Sequence, residues 1–348
     1  MADLAELRRG WDSLKERGAP SAPLSSIPTP PNFSYYRPFV GAADEYIGWA
    51  QSAGDRVYTG IGELDVEMRG IAPGEMTLLL GYSHSGKTLV LMEILRANRD
   101  KRIIYFCPDE PRTLTLIKLA CLTHGVKGRE LERQIADGDR AAIDLLRRTA
   151  TEDFPNLAVF DQSLALSDME RAYSETCEVW GDTPHLVTFD YLELLSGGGE
   201  DVPSKANTLK AWGKRHDVPL LVLHQTSRTA GADGKRMTIS SGSFGGEQQA
   251  THIIGVRRKL FELQGQIREL EEKLDRSQAS ERTMERLDLL RYEAQMHRWT
   301  LTVNLVKNKR MDSDRVDEID FEIEAGTGRL VPLRDGDLPY QHRLGEGF

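Results

Sequence analysis

The chain has 348 residues, of which 39% are hydrophobic and 28% are charged, and its formal net charge is −9. This size and composition indicate a globular protein with one large core or two modest ones, and the acidic balance argues against a protein that coats nucleic acid with its whole surface. No apolar run approaches the roughly 20 residues of a membrane helix, and the N-terminus lacks the apolar core of a signal peptide. Three scattered cysteines argue against a zinc site or a disulfide framework. We therefore expect a cytoplasmic protein without a membrane segment.

The first 55 residues contain two segments of different character. Leucines and a tryptophan recur at spacings of three and four over residues 1–17, which predicts an amphipathic helix. Residues 18–38 are rich in Pro and Ser, so we expect residues 18–55 to form a linker and an approach segment. The apolar face of the helix needs a second surface, which is either its own domain or a neighbouring subunit.

The stretch GYSHSGKT, Gly81 to Thr88, matches the phosphate-loop pattern G-x-x-x-x-G-K-[ST] in full. The apolar run 76–80 before it is typical of a buried strand, and residues 89–99 after it have helical character. In such a loop successive backbone N–H groups point into one concave site, to which the helix dipole adds positive potential. We therefore predict that Lys87 binds the β- and γ-phosphates of a nucleoside triphosphate and that the Thr88 hydroxyl binds Mg²⁺. The predicted nucleotide-binding residues are Gly81, Ser83, Ser85, Gly86, Lys87 and Thr88.

Two neighbouring carboxylates follow the next predicted strand, residues 103–106. Asp109 and Glu110 are rivals for the same role, because a carboxylate at the end of a strand beside the phosphate loop is well placed to orient the attacking water. We favour Glu110 because its side chain reaches farther. The alternative is a cap or a solvated turn before the helix predicted over residues 113–121.

Two later strands also end in polar residues. The apolar run 185–189 ends at Asp190, which we predict to hold the hydration shell of Mg²⁺ near Thr88. The apolar run 219–223 is followed by Gln225, whose amide is placed to hydrogen-bond the γ-phosphate and to report its loss. Between these strands, residues 205–215 form a predicted helix with several cations, which is either a solvated face or part of a nucleic-acid channel.

The segment from Arg228 to Gly246 is long and rich in Gly and Ser, and loops of this length without regular structure are usually functional or disordered. It carries three cations, at Arg228, Lys235 and Arg236. A few well-placed cations are enough for phosphate contacts even in an acidic protein, so single-stranded nucleic acid is the predicted ligand.

Residues 257–298 have a different pattern. Leucines and isoleucines step by three and four from Leu260 to Leu274 on a charged background, and a second such series begins at Met284 after a polar break. This pattern predicts an antiparallel helical hairpin that projects from the core domain. The hairpin is either a docking arm for a protein partner or a spacer.

Apolar and polar residues alternate over 299–307, which predicts a strand. The cations Lys307, Lys309 and Arg310 lie at its end. In a ring ATPase, a cation at this position would reach the γ-phosphate of the neighbouring subunit as an arginine finger. Residues 316–323 predict one further strand, followed by a hairpin return, and residues 336–348 are expected to be a loose tail.

The order of these motifs resembles the RecA-like motor domain of DnaB-family replicative helicases, particularly phage-encoded ones. The lead-in YTGIGELDVEMRGIAPGE looks like the family's T-G-x-x-x-L-D…G-x-x-P-G-[DE], YFCPDEP resembles F-S-L-E-M, and VTFDYLELL resembles I-D-Y-L-Q-L. LHQTSR is similar to L-S-Q-L-N-R, the segment 246–251 to G-x-I-E-Q-D-A-D, and VKNKR to the K-x-R finger element. The resemblance covers roughly residues 56 to 333 and is interrupted by the hairpin.

The resemblance implies an α/β fold, with a central mostly parallel sheet between helices, in a motor domain over residues 56–335 with the hairpin 257–298 inserted. It implies ATP and Mg²⁺ as cofactors, a hexameric ring, and translocation on single-stranded DNA. We expect no separate helical N-terminal domain before the motor. Residues 1–38 are similar to the family's linker helix, which packs on the adjacent protomer. The choice between Asp109 and Glu110, and between Lys309 and Arg310, stays open. The candidate catalytic set is Glu110, Lys87, Arg310 and Gln225, with Thr88 and Asp190 as metal ligands.

Two other functions fit parts of the pattern. A RecA-type recombinase or recombination mediator shares the core but forms open filaments on DNA. An accessory ATP-binding assembly protein would use the hairpin to recruit a partner and would not unwind DNA.

Overall fold

The computed structural model describes residues 39, 41–162, 165–196, 199, 201–226, 238, 246–276, 281–310 and 316–333. The predicted helix over residues 1–17, the cations at positions 228, 235 and 236, and the predicted tail therefore lie outside the described residues. The chain divides into two compact units, Met1–Asp55 and Arg56–Phe348. In the described part of the first unit, helix α1 (Gly41–Gln51) is followed by a single 3-10 turn. The sequence pattern does not predict this helix.

One sheet of nine strands organises the described part of the second unit. Its strands are β1 (Met76–Gly81), β2 (Ile103–Phe106), β3 (Leu157–Phe160), β4 (Leu186–Phe189), β5 (Leu220–Gln225), β6 (His252–Arg258), β7 (Thr300–Asn308), β8 (Ile319–Ile323) and β9 (Leu330–Pro332).

The strand order is β3-β2-β4-β5-β1-β6-β7-β8-β9. The first six strands are parallel to one another, and β7, β8 and β9 extend the sheet in antiparallel fashion. The predicted α/β class and the mostly parallel sheet are confirmed. Because the chain leaves each parallel strand at the same edge, the polar residues that follow β2, β4 and β5 meet at the edge where the phosphate loop follows β1.

Helices cover both faces of the sheet, which explains why the central strands are apolar at most positions on both faces. On one face Leu79, Leu221 and Ile254 belong to a core cluster with α3 (Lys87–Ala97) and α4 (Arg112–His124). On the other face Leu78 and Val222 pack with α7 (Leu166–Trp180) and α8 (Val202–His216). The helices of the second unit, within its described ranges, are α2 (Gly62–Met68), α3 (Lys87–Ala97), α4 (Arg112–His124), α5 (Gly128–Ala136), α6 (Arg140–Arg148), α7 (Leu166–Trp180), α8 (Val202–His216), α9 (Lys259–Arg276) and α10 (Glu281–Met296).

Residues 128–148 form two helices, α5 and α6, rather than one continuous helix. Gly138 separates α5 from α6 with a φ of 77°, a conformation that glycine adopts without steric cost. The Asp139 side chain then accepts hydrogen bonds from the N–H groups of Ala141 and Ala142 and caps α6.

The predicted helical hairpin is present between β6 and β7. Its two helices pack through a small apolar cluster that includes Leu263, Leu290 and Ala294. At its base the buried Arg257 guanidinium donates to Glu318, at 3.0 and 2.7 Å, and to Glu262, at 2.7 Å. In the chain as far as it is described, none of the helices combines the length and the apolar character that crossing a bilayer requires.

Candidate active site

The phosphate loop joins β1 to the N-terminus of α3. Gly86 has a φ of 98°, and a side chain there would overlap Leu301; a side chain at Gly81 would overlap the Val256 carbonyl group. The glycines of the motif are therefore required by close packing against β6 and β7. Ser85 is buried, and its hydroxyl has no hydrogen-bond partner among the described residues. A glycine-lined concavity with an unsatisfied hydroxyl fits a phosphate group.

Lys87 places its ammonium group inside this concavity. Its Nζ donates to the carbonyl oxygens of Gly81 and Tyr82, both at 2.9 Å. Burial lowers the pKa of Lys87 to about 8, although the charges of Asp190 and Glu193 oppose the shift. A polyanionic ligand beside this buried ammonium group would stabilise its charged form.

Thr88 and Asp190 come together as predicted for the metal site. The Thr88 hydroxyl donates to Asp190 Oδ2 at 3.2 Å, and the Tyr105 hydroxyl donates to the same oxygen at 3.2 Å. Burial raises the pKa of Asp190 to about 6, against the effect of these two hydrogen bonds. One carboxylate and one hydroxyl beside a phosphate site fit Mg²⁺, which is usually held by few protein ligands together with substrate phosphates.

The structure separates the two rival carboxylates. Glu110 lies close enough to Asp190 for its charge to contribute to the raised pKa of Asp190, and its Oε2 accepts a hydrogen bond from Lys118 on α4. Asp109 is exposed, and its charge acts instead on Tyr191, whose pKa is raised mainly by burial. Of the two, Glu110 is the one whose charge acts on Asp190.

Gln225 ends β5 directly opposite Gly81 of β1. It therefore lies at the phosphate edge, as the sequence predicts. Its backbone N–H donates to Glu193 Oε1 at 3.0 Å, and the same oxygen lies 2.8 Å from Nδ1 of His224. Nε2 of His224 lies 3.1 Å from Glu247 Oε1. Glu193, His224 and Glu247 lie within quoted motifs, but the sequence analysis gives them no role. A histidine that interrupts the apolar run LLVLHQ is a signal that points to one of them.

The cations that follow β7 lie at the opposite edge of the sheet. Arg310 donates to Glu75 Oε2 at 2.8 Å, and Glu75 immediately precedes β1. The Lys309 N–H donates to the carbonyl oxygen of Thr251, whose own N–H donates to that of Met76, the first residue of β1. Gly81 lies five positions after Met76 along the strand, which corresponds to about 17 Å at the usual rise per residue. These cations do not belong to the phosphate site of their own chain.

Three lysines gather at this far edge. Burial, followed by the charge of Lys309, lowers the pKa of both Lys210 on α8 and Lys307 on β7. Lys309 itself is exposed, whereas the ion pair of Arg310 with Glu75 leaves the Arg310 side chain only 14% exposed. The concentration of positive charge indicates a surface that an anionic group can neutralise.

Comparison with known proteins agrees with this geometry. Residues 56–282 match the DnaB-like helicase C terminal domain. Among solved structures, one ATPase domain is 17% identical with a TM-score of 0.61, and the match covers 86% of this chain and 100% of that one. A DnaB-like replicative helicase, solved in a study of its interactions with primase, is 16% identical with a TM-score of 0.61, over 95% of this chain and 72% of that one. No protein with a curated description matches the chain.

The two solved structures share the fold at low sequence identity, whereas the family match identifies sequence features over residues 56–282, more than half of the chain. That range contains the phosphate loop, Glu110, Asp190 and Gln225, which the fold brings to one edge of the sheet. The chain therefore belongs to the DnaB-like helicase C-terminal domain family.

Proposed function

We propose that this chain is the motor of an ATP-dependent DNA helicase, which assembles into a hexameric ring and translocates on single-stranded DNA during replication. Membership of the DnaB-like family supports an ATPase of this type. The proposed ring depends on one observation: the cations that follow β7 and the phosphate loop lie at opposite edges of the same sheet.

This separation explains why several copies are needed. Lys309 follows β7 at the edge where β1 begins, while the phosphate loop follows β1 at the other edge. A lysine side chain cannot span about 17 Å of strand, so Lys309 can contact a triphosphate only on another copy. A head-to-tail arrangement of this kind closes into a ring when the rotation between copies allows it. The ion pair of Arg310 with Glu75 favours Lys309 over Arg310 as the finger.

Within one copy we assign the following roles. Lys87 would bind the β- and γ-phosphates, and Thr88 and Asp190 would hold Mg²⁺, which neutralises charge that develops on the phosphate oxygens. Glu110 would accept the proton of the attacking water. Gln225, opposite Gly81 at the same edge, would donate a hydrogen bond to the γ-phosphate.

For the nucleic acid, Arg228, Lys235 and Arg236 remain the proposed phosphate contacts. All three lie outside the described residues, between the end of β5 and the 3-10 turn at Gly246–Gln248. Neutralisation of phosphates by these cations would make binding weaken with rising salt concentration.

The test is ATP hydrolysis with and without a single-stranded oligonucleotide, combined with strand displacement from a forked duplex. We expect hydrolysis that the oligonucleotide stimulates, displacement of the paired strand, and loss of both in Lys87→Ala. Strand pairing without displacement would instead indicate a recombinase, and hydrolysis that is indifferent to the oligonucleotide would indicate an assembly protein.

A further inference from the structure

His224 is a fully buried histidine that lies between two carboxylates. Its Nδ1 is 2.8 Å from Glu193 Oε1, and its Nε2 is 3.1 Å from Glu247 Oε1. Burial alone would lower the pKa of His224, but the hydrogen bonds and charges of the two carboxylates outweigh it and raise the pKa to about 9. Both ring nitrogens therefore carry a proton and donate, which makes the ring a cationic bridge between two acidic side chains.

One end of this bridge reaches the phosphate edge. Glu193 Oε1 also accepts the backbone N–H of Gln225 at 3.0 Å, so a single carboxylate oxygen fixes both the histidine ring and the main chain of the proposed γ-phosphate contact. Glu193 lies on the 3-10 turn that follows Asp190, and its charge acts on Lys87. A shift of Glu193 would therefore move Gln225 relative to the phosphate loop.

The other end reaches the cationic edge. Glu247 lies on the 3-10 turn Gly246–Gln248, and Lys307 of β7 donates to the backbone carbonyl oxygens of Glu247, at 2.9 Å, and Gln248, at 3.2 Å. Two residues farther along, Lys309 lies at the strand end that we assign to the nucleotide of the neighbouring copy. The described residues thus form one continuous set of polar contacts from Lys307 to Gln225.

We propose that His224 is a positioning residue of the hydrolysis reaction, which holds Gln225 through Glu193 and transmits the state of the cationic end of β7 to the phosphate edge through Glu247 and Lys307. This inference rests on the proposed function, because Gln225 has a phosphate to contact only in a nucleotide hydrolase. A chain of contacts supports coupling only when mutations along it are shown to be non-additive, so the test is a double-mutant cycle.

The experiment uses the full chain with Mg²⁺, ATP and a single-stranded oligonucleotide. We compare His224→Gln with His216→Gln, a matched control, because His216 also pairs with a glutamate, Glu170 at 3.0 Å, but that pair joins α8 to α7 and does not involve β5 or β7. We expect kcat of His224→Gln to fall at least tenfold while Kd for a non-hydrolysable ATP analogue stays within twofold. His216→Gln should keep kcat within twofold of the unmodified chain.

The second arm of the cycle is Lys307→Met. We expect it to lower kcat in the unmodified chain but to cause no further loss in His224→Gln. Unchanged kcat in His224→Gln, a parallel loss of analogue affinity, or additive losses in the double variant would each overturn the proposal. If His224→Gln fails to fold, Glu247→Gln keeps an acceptor for Nε2 and should show the same loss of kcat. If the unmodified chain hydrolyses no ATP, the proposed function itself fails; a stimulated ATPase that is insensitive to these variants refutes only the role of His224.

Discussion

Lys118 of α4 donates a hydrogen bond to Glu110, the carboxylate whose charge acts on Asp190. Their side chains are 29% and 27% exposed, so water screens the ion pair only in part. The Lys118 ammonium group therefore competes with a water molecule for the Glu110 carboxylate. In this arrangement Glu110 must leave Lys118 before it can act.

The first prediction follows from this pair. Lys118→Met should raise hydrolysis in the absence of DNA several-fold, because it frees Glu110, and should therefore lower the ratio of stimulated to unstimulated rate. Lys118→Arg keeps the charge and should preserve that ratio. Steady-state ATPase assays with and without oligonucleotide measure both quantities. A fall of the unstimulated rate in Lys118→Met would show that the lysine supports Glu110 rather than restraining it.

A second prediction separates the two candidate fingers. Lys309→Ala should reduce stimulated hydrolysis by about 10³-fold or more, the usual effect of losing a finger residue, with no change in thermal stability. Arg310→Ala should instead destabilise the fold by about 2 kcal/mol, because it removes a charged hydrogen-bond partner of Glu75. Denaturant unfolding and ATPase assays on the same two variants distinguish these outcomes. If both variants lost ATPase activity equally, Arg310 would remain a candidate for the finger.

The third prediction concerns pH. The pKa of His224 is about 9 in the folded chain against an ordinary value of 6.5, so its contribution to stability is complete below pH 6.5 and is lost as pH rises through 9. The groups that face it are Glu193 and Glu247; Lys205 and Lys307 contact the backbone carbonyl oxygens of those two residues.

The difference in unfolding free energy between the unmodified chain and His224→Gln should therefore shrink by about 3 kcal/mol between pH 6.5 and 9. Because both chains contain the other titrating groups, such as Lys87, the contributions of those groups cancel in this difference. Denaturant titrations at four or five pH values measure it, with His216→Gln as the control. A difference that is constant over this range would mean that His224 is not charged in the fold.

A fourth prediction treats the hairpin as an appended arm. Arg258 of β6 pairs with Leu301 of β7, so the strand ends are adjacent without the helices. Replacing residues 261–298 by Asn-Gly, which favours a two-residue turn between antiparallel strands, should leave ATPase activity within about twofold. Partly exposed apolar side chains on α10, Met284, Leu289 and Tyr292, are consistent with a protein-docking role for the arm. Loss of folding in the shortened chain would show instead that the hairpin is part of the core.

The phosphate loop and its flanking strand and helix follow directly from the sequence, because that motif is local and its glycines are required by close packing. Strand β6 was not predicted: HIIGVRR contains a histidine and two arginines, and only tertiary contacts make these residues compatible with burial. His252 lies 3.3 Å from the Thr77 hydroxyl, and burial lowers its pKa to about 3, so it is neutral in the fold.

The composition of the site was largely predictable, whereas its contacts were not. Asp190 and Gln225 could be placed because both end apolar runs, and the parallel sheet brings strand ends together. The ion pair of Arg310 with Glu75 joins residues 235 positions apart in the chain. The contact of His224 with Glu247 likewise joins two segments that are separated in the sequence. Such partners are fixed by strand order and register, which no local pattern contains.

The central claim is that neighbouring copies share a nucleotide, and cross-linking between copies tests it most directly. His84→Cys places a thiol on the exposed side of the phosphate loop, and Lys309→Cys places one at the far edge of the sheet. These positions are more than about 17 Å apart within a chain. The native Cys107 and Cys121 are buried, and the partly exposed Cys177 is replaced by serine in all variants. With a short bismaleimide, a non-hydrolysable ATP analogue and an oligonucleotide, the doubly substituted chain should give a ladder of covalent oligomers up to the hexamer, and neither single variant should. A doubly substituted chain that stays monomeric under these conditions would contradict the account.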